Sequence, residues 1–227
     1  MALPVGDEKA KAVREMFDTI APRYDLVNRI MTFRMDVGWR RRTVSALALR
    51  PGSVVADLAC GTGDLCDELS SCGLSPIGID VSYGMLANAR TSAPLLQGDA
   101  LALPVGDGLL DGVTCGFALR NFVALEPFLA ELGRAVRPGG RIALLEVATP
   151  PNKVLRAGHA FYFGRVVPLI GGLLSDPAAY RYLPKSVAYL PEPDAMLAMI
   201  EAAGFVDVKR RLLSVGIAQL LTGTRAS

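Results

Sequence analysis

Histidine is nearly absent: His159 is the only one among 227 residues. A two-histidine metal site, or a serine–histidine pair with a histidine to spare, is hard to build from that. The four cysteines, Cys60, Cys66, Cys72 and Cys115, do not fall at C-x2-C spacing. They read as reduced, small buried hydrophobes, and no metal site is expected. No run of about 18 uninterrupted apolar residues occurs, so no transmembrane helix is expected. Met1–Lys11 lacks an apolar core and does not read as a signal peptide. These absences together suggest a cytoplasmic protein. A net charge of +2 gives no footprint for nucleic acid as a partner. What is abundant is apolar sequence: 51% of residues are hydrophobic. The length suits one domain over 1–227 with a sizeable core.

Two helices are expected near the start, over 8–21 and 36–49, making 1–50 a helical segment. Pro51-Gly52 closes the second. The pattern then alternates. Strands are expected at Val54–Leu58, Pro76–Ile79, Leu95–Gly98, Leu110–Cys115 and Arg141–Val147. Helices fall at Gly63–Ser71, Gly84–Arg90 and Leu125–Val136, and Arg137–Gly140 reads as a turn. Short apolar strands alternating with helices imply an α/β, Rossmann-like fold, its mostly parallel sheet covered on both faces. Residues 150–193, rich in Pro, Gly and aromatics, are too long for a loop and suggest a helical cap over a substrate. A helix at Asp194–Ala203 and two strands, Phe205–Leu213 and Gly216–Gly223, close the chain, the strands near enough to pair antiparallel.

The segment Asp57-Leu58-Ala59-Cys60-Gly61-Thr62-Gly63 follows a strand and opens a helix. Gly61 and Gly63 let the backbone approach a ligand closely. Asp57, at the strand end, suits a cationic amino group. Seventeen residues past Gly63, the next strand ends in Asp80, placed to accept ribose hydroxyls. Asp99, after the third strand, could accept from an adenine amine. NAD is the competing ligand. However, Cys66 stands where the dinucleotide fingerprint has its third glycine, and Asp57 and Asp64 would repel a pyrophosphate. The residues favour S-adenosylmethionine.

The chain from about Val13 to Gly223 resembles the ubiquinone/menaquinone biosynthesis C-methyltransferases. The resemblance is carried by Met16-Phe17-Asp18-Thr19-Ile20-Ala21-Pro22-Arg23-Tyr24-Asp25-Leu26-Val27-Asn28, the glycine loop and Phe117-Ala118-Leu119-Arg120-Asn121-Phe122. Arg137–Arg141 with Leu145-Glu146, Tyr180–Val187 and Ala203-Gly204-Phe205 add to it. It implies a class I methyltransferase fold, a seven-stranded sheet with an antiparallel last strand. It also implies a lipophilic quinol substrate with a polyprenyl tail. By motif, Thr62, Asp80, Asp99 and Ala100 correspond to cofactor contacts, and Tyr24, Arg120 and Asn121 to residues facing the ring. Two positions depart from the family pattern: Gly116 replaces a serine and Leu221 a histidine. Another phenolic acceptor therefore stays open as the alternative.

A ring carbon becomes nucleophilic when its neighbouring hydroxyl loses a proton, so something must stabilise a phenolate. Arg120 is expected to polarise that hydroxyl, with Tyr24 and Asn121 positioning the ring. The apolar stretch Phe161–Leu174 reads as the tail's channel, an interfacial segment, a buried cap or a homodimer contact. Arg29, Arg34, Arg40, Arg41 and Arg42 give the N-terminal region a positive bias that suits either an anionic lipid surface or a solvated helix face.

Overall fold

The computed structural model describes residues 6–227, apart from the side chains of Arg181 and Leu183. Met1–Val5, and that part of the Tyr180–Val187 motif, lie outside the described residues. Seven strands form one sheet in the order β3-β2-β1-β4-β5-β7-β6. They are β1 (Val54–Leu58), β2 (Ser75–Asp80), β3 (Leu95–Gln97), β4 (Leu110–Gly116), β5 (Val136–Val147), β6 (Phe205–Leu213) and β7 (Ala218–Arg225). The first five run parallel, and β7 is antiparallel to both of its neighbours. The mostly parallel sheet with an antiparallel closing strand is as the sequence implies.

Burial explains the strand sequences. Val55, Ala56 and Leu58 of the central β1 are wholly buried, as a parallel strand covered on both faces requires. Along β5 the side chains alternate between two cores. Ile142 and Leu144 join Phe128, Leu129 and Leu132 of α6 (Leu125–Ala135) and Met196 and Ile200 of α10 (Pro193–Ala202). Ala143 and Leu145 face the other way, onto Trp39, Val44 and Leu47 of α3 (Met35–Leu47) and Leu65 and Leu69 of α4 (Asp64–Ser71). The period of two along the strand therefore puts one set of helices on each face.

A third cluster lies off the sheet. It joins α1 (Gly6–Ile20) and α2 (Tyr24–Met31) through Ile20, Val27 and Met31 to Val167 of α8 (Val167–Leu174) and to Ala179 and Tyr180 of α9 (Pro177–Ser186). Helix α7 (Lys153–Phe161) runs into α8 through a π-helical turn at Tyr162–Val166. Asn152 caps α7, accepting from the N–H groups of Val154 and Leu155. The remaining helix, α5 (Tyr83–Ala87), is capped by Ser82.

Several boundaries differ from expectation; the helix expected over Gly84–Arg90, for one, ends at Ala87. Arg137–Gly140, read as a turn, is taken into β5. There, Leu110 pairs with Val136 and Gly112 with Arg141, so the extra residues bulge at the strand's entry. The last strand begins at Ala218, because Ser214–Gly216 form a helical turn with Val215 in left-handed backbone. Strand order reverses beside β1: the chain moves out through β2 and β3, then returns to its other side with β4. That switch point leaves a crevice at the carboxyl ends of β1 and β4.

Candidate active site

Three carboxylates stand at the sheet's carboxyl edge. Asp57 on β1 is buried and accepts from Thr114 Oγ1 at 2.8 Å, with the Cys66 thiol at 3.7 Å. Burial pushes its carboxyl up to about 7, against the opposing pull of those bonds. Asp80 closes β2 and receives two backbone N–H groups, from Gly61 to Oδ2 and from Ser82 to Oδ1, each at 2.8 Å. Its carboxyl too is raised by burial, partly offset by these donors. Asp99 is exposed, and its Oδ1 accepts the Leu101 N–H at 2.9 Å.

The loop between Asp57 and α4 turns sharply. Gly63 has φ +92°, and a Cβ there would lie 2.4 Å from Thr91 Cγ2. Glycine is required at that point for both conformation and space. Ala59 (φ +51°) and Phe117 (φ +60°) carry left-handed backbone just past β1 and β4. Such strain tends to concentrate at working sites.

The N-terminal helices are fastened onto this edge. Thr62 Oγ1 donates to Asp25 Oδ1 at 2.6 Å. Asp18 Oδ1 accepts from Ser82 Oγ at 2.6 Å and from the Gly84 N–H at 2.9 Å. Arg40 bridges Asp36 and Asp64, and Arg29 also reaches Asp64. Arg41 pairs with Glu68. Three of the five arginines read as a positive bias are therefore paired with acids of the protein itself.

Two adjoining cavities open at the crevice. The larger, about 460 Å³, is mainly apolar; Trp39, Phe117, Met31, Tyr162 and Phe163 line it, and Asp57 and Arg120 reach its wall. The smaller, about 140 Å³, is lined by Asp80, Ser82, Asp99, Ala100, Leu101 and Asn121. Phe17, Tyr24, Ala59, Gly61, Gly116 and Phe117 border both. Phe17 and Tyr24 meet edge-to-face with centroids 5.9 Å apart. Burial raises the Tyr24 phenol, which keeps it a proton donor rather than a base.

Arg120 does not face the cavity as a lone cation. Its Nη1 donates to Glu146 Oε1 and to the Phe117 carbonyl, and its Nε to Ser186 Oγ at 3.2 Å. Glu146, on β5, has no exposed surface, and its Oε2 also accepts the Arg120 backbone N–H at 3.1 Å. A buried guanidinium keeps its charge and needs such a partner. Nη2 stays outside these bonds. Asn121 Oδ1 lies 3.5 Å from the Tyr182 hydroxyl.

The structure thus gathers Tyr24, Asp57, Gly61, Thr62 and Arg120 around the larger cavity, and Asp80, Asp99, Ala100 and Asn121 around the smaller. Gly63 lines neither; it packs behind the loop on Thr91. Sequence reasoning gave no role to Glu146 or Asp25, both of them long-range partners, and read Arg40 only as part of a positive bias. The two departures separate in space. Gly116 borders both cavities, where a Cβ would sit 2.9 Å from Leu65 Cδ1. Leu221 is wholly buried in the main core, opposite Leu144, and lines neither cavity.

A sheet of this order, with acids and a glycine turn at the carboxyl ends of its first strands, is the class I methyltransferase architecture. A SAM-dependent methyltransferase from Thermotoga maritima, described as a possible histamine N-methyltransferase, superposes with a TM-score of 0.65 at 17% identity, covering 93% of this chain and 99% of that one. The family model of the ubiE/COQ5 methyltransferases matches residues 5–225. A demethylmenaquinone methyltransferase from Thermus thermophilus is 44% identical over 92% of this chain and all of its own length. A ubiquinone/menaquinone biosynthesis C-methyltransferase UbiE from Geobacter sulfurreducens is 37% identical over 96% of this chain and 90% of its own. The chain belongs to the ubiE/COQ5 methyltransferase family.

Proposed function

We propose that this protein methylates a ring carbon of a polyprenylated quinol, of the demethylmenaquinol type, using S-adenosylmethionine. The observation that supports this best is the pairing of two cavities at one strand edge, a small one with Asp80 and Asp99 in its wall and a large, mainly apolar one with Asp57 and Arg120 at its wall. The cofactor's chemistry suits the donors present. Asp57 would hold its ammonium, Gly61 and Thr62 would lie along its chain, Asp80 would accept from the ribose, and Asp99 and Ala100 would flank the base. Gly63 would shape the turn. When bound, S-adenosylmethionine supplies an electrophilic methyl carbon on its sulfonium.

The chain's own residues prepare the acceptor. Arg120, held still by Glu146, lowers the cost of ionising the hydroxyl beside the accepting carbon. Tyr24 and Asn121 hold the ring against the junction of the cavities, where Gly116 leaves room. The wall of Trp39, Phe117 and Phe163 keeps water from that carbon. The test is incubation with labelled cofactor and a panel of demethylated quinols with and without prenyl tails. A mass increase of one methyl group on the tailed quinol is expected. Arg120→Ala should lose roughly a hundredfold or more in rate with cofactor affinity retained; a near-wild-type rate would refute its role.

A lipophilic acceptor must come from a membrane, and among the described residues no helix is long and apolar enough to cross one. The mouth of the larger cavity supports docking instead. Four of its lining residues, Phe33 (72% exposed), Val154 (79%), Leu155 (44%) and Val215 (66%), project to the surface. Exposed Arg34, Lys153 and Arg156 stand beside them in sequence. Exposed apolar side chains with cations next to them in sequence suit an anionic bilayer surface. Helices α7–α9 then act as the cap through which the prenyl tail enters.

A further inference from the structure

Most polar side chains in the larger cavity's wall have a protein partner. The Tyr162 hydroxyl donates to the Met31 carbonyl at 2.8 Å, the Trp39 indole N–H to Ser214 Oγ at 2.8 Å, and Asp57 accepts from Thr114. The Tyr180 hydroxyl and the His159 Nε2 are different: both are closed off from solvent and, among the described residues, have no hydrogen-bond partner. Tyr180 lies in the packed seam of α8 and α9, whereas His159 comes from α7, which has no buried residue.

The surroundings of His159 are those of a binding wall. Leu155, Gly158, His159, Tyr162 and Phe163 all line the cavity, the i, i+3, i+4, i+7, i+8 spacing of one helical face. That face runs through the π-helical turn at Tyr162–Val166, a feature frequent at functional sites. The imidazole lies against the Phe163 ring with centroids 4.4 Å apart. Burial lowers its pKa, so at neutral pH the ring is uncharged and offers one acceptor and one donor nitrogen. A buried polar atom without a partner is unfavourable, and a ligand that supplies the partner as the imidazole turns toward the cavity removes that cost.

We propose that His159 binds the second ring oxygen of the acceptor, the hydroxyl para to the one beside Arg120, and so selects for rings carrying both. This rests on the quinol reading above. A quinol has two hydroxyls on opposite edges. The residues after β4 serve one. The other must be desolvated against a wall that is otherwise aromatic and aliphatic, and His159 comes from that wall, on α7. It is a specificity determinant that touches substrate and takes no part in transferring the methyl group.

The test compares a short-tailed demethylmenaquinol with the matching naphthol that keeps only the hydroxyl beside the accepting carbon. Wild type, His159→Phe and His159→Gln are assayed for kcat and KM. Ring affinity without methyl donor is read from fluorescence of Trp39, the chain's single tryptophan, which lines the same cavity. Wild type should prefer the diol by about fivefold in KM and in affinity, the scale of one ordinary hydrogen bond. His159→Phe, which keeps an aromatic ring against Phe163, should bring the two acceptors to within about twofold at similar kcat and cofactor affinity, and Gln should recover part of the preference. A His159→Phe enzyme that keeps the wild-type preference overturns the assignment while leaving quinol methylation standing. A loss of cofactor affinity in that variant also overturns it, since the role would then be structural. Wild type inert toward every quinol overturns the reaction itself, and this assignment with it.

Discussion

Replacing Glu146 with Gln removes one negative charge and almost no volume. Arg120 remains behind, 5% exposed, with its guanidinium against a side chain that no longer balances it. Removing one member of a buried ion pair costs about 3–5 kcal/mol, because the survivor is left as an uncompensated charge. For a chain of this size each kcal/mol lowers Tm by about 2–4 °C, so a fall of about 6–20 °C is expected. Two features put the cost toward the upper end: the carboxylate has no exposed surface, and it also accepts the backbone N–H groups of Arg120 and Val147. Arg120→Met combined with Glu146→Gln removes both charges and should regain much of the loss, giving a coupling of about 2 kcal/mol or more in the double-mutant cycle. Urea titrations at pH 7 on the four proteins supply the numbers. Methyl transfer by Glu146→Gln, measured at a temperature where it is folded, should fall at least tenfold because Arg120 is no longer held in place. A single-variant cost under about 1 kcal/mol, or simple additivity in the cycle, would show that the pair is not the buried unit described.

Four further outcomes are expected. Burial raises Asp57 to about 7, so its carboxyl must lose a proton to meet a cationic ammonium; cofactor affinity should fall as pH drops below 7. Calorimetry from pH 5.5 to 8.5 checks this, Asp57→Asn should flatten the profile, and pH-independent wild-type affinity would refute it. The same shift predicts that the ligand-free protein loses stability as pH rises from about 4 toward 7, because the folded state keeps a proton the unfolded chain releases. Gly63→Ala combines a φ of +92° with a contact at 2.4 Å to Thr91; it should cost about 1–3 kcal/mol and weaken cofactor binding, and an unchanged melting curve would count against the account of the loop. Phe33→Ser with Val154→Ser should lower co-sedimentation with anionic vesicles by about tenfold or more, given roughly 1.5–3 kcal/mol per buried side chain; equal binding would place the membrane face elsewhere.

What could be read from the sequence follows from how far apart the interacting residues lie along the chain. The β–α alternation is local, since β1 to β4 are short, mainly apolar runs set between helical stretches. The parallel sheet follows from it, and so do the strand-end positions of Asp57, Asp80 and Asp99. The glycine turn is local too. The partners that set the chemistry are not. Arg120 meets Glu146 because β4 and β5 lie side by side, 26 residues apart in sequence. Asp25 meets Thr62 across 37 residues, through a helix whose docking no periodicity predicts. Arg40 looked like surface charge because, beyond its neighbour Asp36 one turn back on α3, its second acid, Asp64, lies on α4. The position of Gly116 makes the same point from the other side. Seen in the sequence, it is a lost hydroxyl. In the fold, a Cβ there would lie 2.9 Å from Leu65 Cδ1, the tip of a side chain that lines the same cavity. A serine at that point is therefore taken up by a turn of Leu65, so the hydroxyl returns at the cost of a small change in the cavity's shape rather than of the fold.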